Sequence, residues 1–536
     1  MRPTALRVAA LVLAATTLVG CSSLQSQVTE VGAVRMTDDR PVRDGGTLTV
    51  ALNADPDKLD PTLGQTLAGR TVFAGMCEKL YDVDAEGKAV PQLATAAPKI
   101  TDGGRTVTFH VRGDATFSDG THLDAAAVVT SLTRDRDLPG SARATELGPL
   151  KRIEAVGRYG VRLTLKQPYV PLTAALADRA GMVMSPAALH RYGKDFTNHP
   201  SCVAPFRFVE RVAGDRIVLA KDPHYYDADQ VHLDRIIYKS IPDGTVRLAN
   251  LRSGDVQVGD QMTPVDVRSA LTEPGLQLFN SPSLGYQGIG LNVGNTRGLG
   301  RPPGHLDTPI ARDVRVREAF DLSLDRETIN KVVFQGMYEP ACGPVSPGSA
   351  LAPGPDPSRC PRRDVARARR LLKEAGVHTP VPVELKVSTT PEWNRIGQVV
   401  QSMAKEAGFQ VTLRPTEFTT MLQETDDGHY DAFNSGWSGR LDPDGNIANF
   451  LQTQGAMNAY GLSDKRVDAL IALGRTQTDP RARARTYDEL TRRVVADHAL
   501  IYLYRQKNYV VAGKDVAGVR VYGDGLVRVD RAGYVK

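Results

Sequence analysis

The 536-residue chain has no apolar run of the roughly 20 residues that a membrane-spanning helix needs, which leaves no candidate for a transmembrane helix. It has only five cysteines, and none forms a CxxC pair that would anchor a zinc site. No GxSxG elbow, HExxH helix or cysteine-protease pattern occurs, and the ten histidines show no metal-ligand spacing. An extracytoplasmic hydrolase therefore lacks its usual signatures, although a dispersed triad would leave none, and bare metal is disfavoured as cargo. No catalytic residue, resident metal or cofactor is indicated. Charge of one sign is scarce too: 66 basic residues stand against 61 acidic ones, a net charge of +5. The bases are dispersed rather than gathered in a stripe with aromatics, which argues against nucleic acid as a partner. No internal repeat of fixed period is present.

What is there begins at the amino terminus. Arg2 and Arg7 precede a short apolar run, Val8 to Val19, ending in Leu18-Val19-Gly20-Cys21. A basic start, a short apolar core and small residues before a cysteine describe an export signal over residues 1–20 and resemble the bacterial lipobox, with Cys21 as the lipidated residue. The alternative is an ordinary signal peptide with Cys21 unmodified. Residues 21–44 are polar and read as a tether. The protein is thus expected outside the cytoplasm, held to the cell membrane by lipid alone. About 490 residues remain, enough for two or three domains.

The four other cysteines suggest two pairs, Cys77 with Cys202 and Cys342 with Cys360, as export permits; buried free thiols or a metal site are the alternatives. The second pair would close a Pro- and Gly-rich loop, 343–359. Thr47–Ala51 reads as a first strand, and the stretches 106–111 and 161–165 alternate as half-buried strands do. In 313–325, Val316, Ala319, Phe320 and Leu324 share a helical face; in 364–375, Val365, Ala368, Leu372 and Ala375 do the same, and Gly376 is placed to cap. A strand over 383–387, a helix ending near Gly408 and a strand over 409–414 follow. Strand and helix alternate, the mark of an α/β architecture.

Several stretches in order resemble the peptide and nickel class of bacterial extracellular solute-binding proteins, family 5. They are Ala51–Pro61 with its Leu-Asp-Pro turn; Val107–Val129 with the turn Phe117-Ser-Asp-Gly-Thr121 followed by a small-residue helix; Pro205–Phe208; Asp222–Tyr226; Leu233–Tyr238; Gly288–Asn292; and Val314–Phe320. In the turn stretch, Asp119-Gly120 is a turn pair and Asp124 can cap a helix whose Val128, Ser131 and Leu132 share a face. The resemblance implies a two-lobed periplasmic-binding-protein fold of type II, cluster C-like, with an extra domain inserted in the first lobe. The implied division is 45–77, 202–290 and 501–536 for the first lobe, 78–201 for the insertion and 291–500 for the second lobe. A Cys77–Cys202 bridge would then staple the strands where the insertion leaves and rejoins its parent lobe.

The resemblance further implies an ABC-importer component, monomeric, that closes by a hinge on a short peptide and delivers it to permease subunits. Other cargo such as a nickel chelate, haem or a glutathione-like compound remains open, as does an envelope lipoprotein that regulates by touching other proteins. In peptide-binding members, a segment resembling Gly-Trp-x-x-Asp-Tyr supplies an aspartate to the peptide's α-ammonium. Here the segment reads Gly436-Trp437-Ser438-Gly439-Arg440-Leu441-Asp442-Pro443-Asp444, with Arg440 at the aspartate position. A guanidinium repels an ammonium but makes a two-pronged bond to a carboxylate. Either Asp442 or Asp444 takes over the ammonium, or the ligand brings a carboxylate, or no free amine, to this position. Trp437, Ser438, Arg440, Asp442, Asp444, Asn434 and Ser435 are the resulting ligand candidates. Residues 55–71 and 286–292, with Tyr286 and Asn292, are expected to form a second wall. Trp437 as core and Arg440 in a solvated ion pair are the structural alternatives.

Overall fold

All but the first residue of the strand Thr47–Leu52 are buried, as in a strand covered on both faces. In the computed structural model, which describes residues 35–349, 351–352 and 360–536, this strand runs parallel to Arg235–Ser240 on one side and Val258–Gly259 on the other. The sheet has seven strands, in the order Leu276–Pro282, Lys507–Gly513, Val258–Gly259, Thr47–Leu52, Arg235–Ser240, Arg216–Lys221, Phe206–Val212. The expected export signal and Cys21 lie outside the described residues. Among the described residues no helix is long and apolar enough to cross a membrane.

A six-stranded sheet forms a second lobe in the order Glu339–Pro340, Leu500–Arg505, Tyr286–Leu291, Ala432–Trp437, Val381–Ser388, Phe409–Thr416. A smaller antiparallel sheet pairs Lys99–Thr101, Thr106–His110, Gly160–Leu165 and Leu150–Val156 in that order. Each sheet has a separate apolar core. The chain passes between the two large sheets through residues 283–285 and again at Gln506. The expected lobe boundaries, 290/291 and 500/501, fall at the end of Tyr286–Leu291 and the start of Leu500–Arg505. Apolar strands continue up to both crossings, so composition marks neither.

Local chemistry accounts for the helices. Asp124 accepts a hydrogen bond from the Ala127 amide and starts Ala125–Asp137, which buries Val128, Ser131 and Leu132. Asp313 and Asp364 cap Val314–Leu322 and Val365–Glu374 in the same way. The helix Pro391–Ala407 stops at Gly408, whose φ of 103° suits a residue without a Cβ.

Both expected cystine bridges are present. Cys77 and Cys202 lie 125 residues apart in sequence and 4.9 Å apart at Cα. They sit where the chain leaves the large first core and returns to it, beside a hydrogen bond from the Glu78 amide to the Val203 carbonyl at 2.8 Å. Cys342 and Cys360 close the shorter loop.

Candidate functional site

Trp437 ends a strand that pairs with Tyr286, the first residue after a crossing between lobes, so the residues that follow it enter the interlobe cleft. Gly439 makes the turn with a φ of +87°, and a Cβ there would stand 2.4 Å from the Leu284 carbonyl carbon. Only glycine lets the loop press this closely on the crossing segment. Asn446, on the helix Asp444–Leu451, holds the loop's shape. Its Oδ1 accepts from Trp437 Nε1 at 3.0 Å and from the Arg440 amide at 2.7 Å, and its Nδ2 donates to the Arg440 carbonyl at 3.3 Å. Trp437 is buried edge-on against Phe450, and the Arg440 guanidinium lies 4.0 Å from the centre of its ring.

Arg440 meets the opposite wall. Its Nε lies 2.7 Å from Asp178 Oδ2, which also faces Arg70 Nη2 at 3.1 Å. Asp178 Oδ1 accepts from Arg70 Nε at 3.1 Å and from the Arg179 amide at 2.8 Å. Arg70 donates through Nη1 to Ser438 Oγ at 3.2 Å, and Arg179 and Arg143 both donate to the Gly64 carbonyl, at 2.7 and 3.4 Å. Arg143 is paired with Glu146 at 2.8 Å. Four buried guanidiniums therefore share two carboxylates. Burial opposes charge on Asp178, yet Arg440, Arg70, Arg179 and Arg143 outweigh it and hold its carboxyl well below the usual range. Burial, then the Arg143 charge, pushes the Arg179 guanidinium well below its ordinary value. Burial, only partly offset by Asp178, brings Arg440 down to about 10.

Asp442 and Asp444 are already engaged. Asp442 takes a two-pronged ion pair from Arg483 at 2.7 Å on both oxygens. Asp444 is paired with Arg475 at 2.7 and 3.1 Å and accepts from Tyr169 across the cleft at 3.4 Å. Thr145 donates to Asn449 Oδ1 at 2.9 Å in a further contact between the walls. Around these contacts lies a narrow cavity lined by Glu146, Tyr169, Asp178, Arg440, Asp442 and Asn449 among others.

The other sequence candidates occupy different places. Asn434 accepts from the Ser388 amide at 2.6 Å and ties two neighbouring strands. Ser435 is hydrogen-bonded to Tyr460 at 2.6 Å inside the second lobe. Tyr286 is buried, donating to the Asn446 carbonyl at 3.2 Å. Asn292 follows the far end of the strand that begins at Tyr286. Its side chain organises the turn there, accepting from the Asn295 amide at 2.8 Å and donating to the Tyr430 carbonyl at 3.2 Å. The structure thus brings Trp437, Ser438, Arg440, Asp442 and Asp444 together at the cleft and leaves Asn292 beyond the opposite end of the strand Tyr286–Leu291.

Arg143, Tyr169, Asp178 and Arg179 escaped the sequence reading, because no local motif surrounds them. Arg70 lies within the 55–71 stretch expected to form a wall. A second cavity of about 170 Å³ lies between the same two lobes, lined by Asn53, Arg247 and Gln261 on one side and Tyr338, Thr390 and Glu392 on the other, with Gln506 at the crossing. Burial pushes the Glu392 carboxyl up to about 7.

Comparison with known proteins accords with this architecture. The glutathione-binding protein GsiB of Salmonella paratyphi A is 27% identical over 491 residues, covering 89% of this chain and 92% of that one. The oligopeptide-binding protein AppA from Bacillus subtilis, solved with a nonapeptide, superimposes with a TM-score of 0.83 at 22% identity, over 92% of this chain and all of that one. AgaA from A. tumefaciens R10, solved with agropinic acid, gives 0.81 at 24% identity, over 91% and 99%. These likenesses give the two-lobed binding-protein fold. The model of the bacterial extracellular solute-binding proteins, family 5, matches residues 88–458, and the chain belongs to that family.

Proposed function

We propose that the mature protein is the substrate-binding component of an ABC importer, anchored by a lipid on Cys21, that captures a short peptide between its lobes and hands it to the permease. In this reading the first lobe and its inserted domain, 78–201, divide from the second lobe as expected above, except that the boundaries expected at 290/291 and 500/501 move to the crossings at 283–285 and Gln506, and the protein acts as a monomeric binder rather than an enzyme. The observation that carries the reading is the meeting of Arg440 and Ser438 with Asp178 and Arg70 across the cleft. Side chains from separate cores come together only if the lobes close on one another. The segments at 283–285 and Gln506 supply hinges of the kind such closure needs. Trp437, Ser438 and Arg440 are the assigned ligand contacts on the second lobe, with Asp442 and Asp444 shaping the wall behind them. Asn434, Ser435 and Tyr286 support that wall.

Native mass spectrometry of the lipid-free mature chain tests the reading. Peptides released on denaturation are the expected result. A protein that emerges empty and is inert to a peptide library refutes peptide capture. A second reading, a non-peptide cargo of similar size, is favoured by one observation: among the described residues, the carboxylates at the Trp437 end of the cleft, Glu146, Asp178, Asp442 and Asp444, each have a guanidinium partner, which leaves a peptide ammonium no open anchor among them.

A further inference from the structure

We propose that Arg70, Arg143, Arg179 and Arg440 form an anion anchor, and that the cargo is a peptide-sized solute bearing at least one carboxylate not neutralised by its own ammonium. The proposal rests on the capture reading above and specifies the charge of what is captured.

Two independent observations carry it. The first is charge. Arg475 with Asp444 and Arg483 with Asp442 are matched pairs, which leaves four guanidiniums against Asp178 and Glu146. Of the nearby acids, Asp524 pairs with Arg528 and Asp60 with Arg134, and burial pushes the Asp135 carboxyl, which feels the Arg143 charge, up to about 8 and so toward its neutral form. A guanidinium does not shed its proton near neutrality, so the closed lobes confine two positive charges without counter-charges in a region screened from water. The second is hydrogen bonding. Arg143 Nε, Arg179 Nε and Nη2, and Arg440 Nη2 are buried donors without an acceptor among the described residues. Their side chains are 3%, 1% and 10% exposed. Buried donors are seldom left unpaired, and planar guanidinium N–H groups match the two oxygens of a carboxylate.

Arg440 comes from the second lobe and the other three from the opposite wall. An anion between them lowers a repulsion that grows when closure brings Arg440 up to the other three. It therefore binds the closed state better than the open one, which is the condition for a ligand to drive closure.

The test titrates the mature chain calorimetrically with Ala-Ala-Ala, its C-terminal amide and Ala-Glu-Ala, each against wild type and Arg440→Gln, alongside thermal-shift measurements with glutarate and glutaramide at matched ionic strength. The anchor predicts that amidation weakens binding by about tenfold or more, that Ala-Glu-Ala binds tightest, and that Arg440→Gln compresses these differences. It also predicts stabilisation by glutarate but not glutaramide. Peptide binding indifferent to amidation overturns the anchor and leaves capture standing. Stabilisation by glutarate without any peptide binding upholds the anchor and retires peptides as cargo. Indifference to every probe overturns both. Arg179→Lys, which keeps a cation at this position, is the companion variant if Arg440→Gln fails to fold.

Discussion

Replacing Asp178 by Asn keeps the shape of the side chain and the acceptor for the Arg179 amide, but removes the charge that Arg440 and Arg70 share. Breaking a buried ion pair by removing one partner costs about 3–5 kcal/mol, because the remaining charge stays buried. Unfolding entropy near 2.1 cal/mol/K per residue gives, for roughly 500 residues, about 1 kcal/mol/K, so the melting temperature should fall by about 3–5 °C. Glu489→Gln is the control: its partner Arg466 is 58% exposed and Glu489 itself 46%, and surface pairs of this kind contribute about 0–1 kcal/mol. The carboxyl of Asp178 is depressed in the folded state, so its stabilisation is present above the unfolded value of 3.8 and is lost only as pH falls through the folded value. The gap between wild type and D178N should therefore hold steady from about pH 5 to 8 and shrink only in stronger acid. Small-angle scattering should show the variant shifted toward open forms. A D178N protein that melts within 1 °C of wild type, or moves no further than the Glu489 control, refutes the reasoning.

Three other outcomes are expected. Asn446→Ala leaves Trp437 Nε1 and the Arg440 amide without acceptors, at about 1–3 kcal/mol for each buried group; calorimetry should find ligand affinity reduced about tenfold, and unchanged affinity would remove this loop from the site. The double variant Cys77→Ser, Cys202→Ser reopens a loop spanning 125 residues and should lose about 4–5 kcal/mol in denaturant unfolding, whereas a shift under 1 kcal/mol would show that the bridge constrains little. Burial raises Glu78 from 4.5 to about 7, against hydrogen bonds donated by Tyr225 and Tyr226. Its stabilisation is thus full below pH 4.5 and lost as pH rises through 7, roughly 3 kcal/mol at about 1.4 per unit; Glu78→Gln should flatten the decline in stability between pH 5 and 8, and an unaltered slope would exclude Glu78 as its source.

What the sequence made legible is what is decided within a few residues. Asp124, Asp313 and Asp364 cap helices that begin one residue later, and the alternation in Thr106–His110 appears as alternating burial. The Trp437–Asp444 loop was legible for the same reason, being one short segment of distinctive composition. The opposite wall was not. Arg70 meets Ser438 across 368 positions of sequence, and Asp178 sits in an ordinary-looking stretch whose importance comes only from what the second lobe brings to it. Asp442 and Asp444 looked available because their partners, Arg483 and Arg475, stand 41 and 31 residues later in the sequence.

The same geometry gives Arg440 its meaning. Where the resemblance implies a carboxylate on the second lobe for a ligand ammonium, this chain carries a guanidinium there and a carboxylate on the facing wall. A simple exchange of sides would preserve an ammonium site, with Asp178 taking the role. Asp178, however, already answers Arg440 and Arg70 through its side-chain oxygens, and adding an ammonium would place a further cation among four others. The exchange therefore does more than move the anchor. With the anion anchor proposed above, it reverses the sign of the group the cleft receives best, and the end of the ligand expected at Arg440 is its carboxylate.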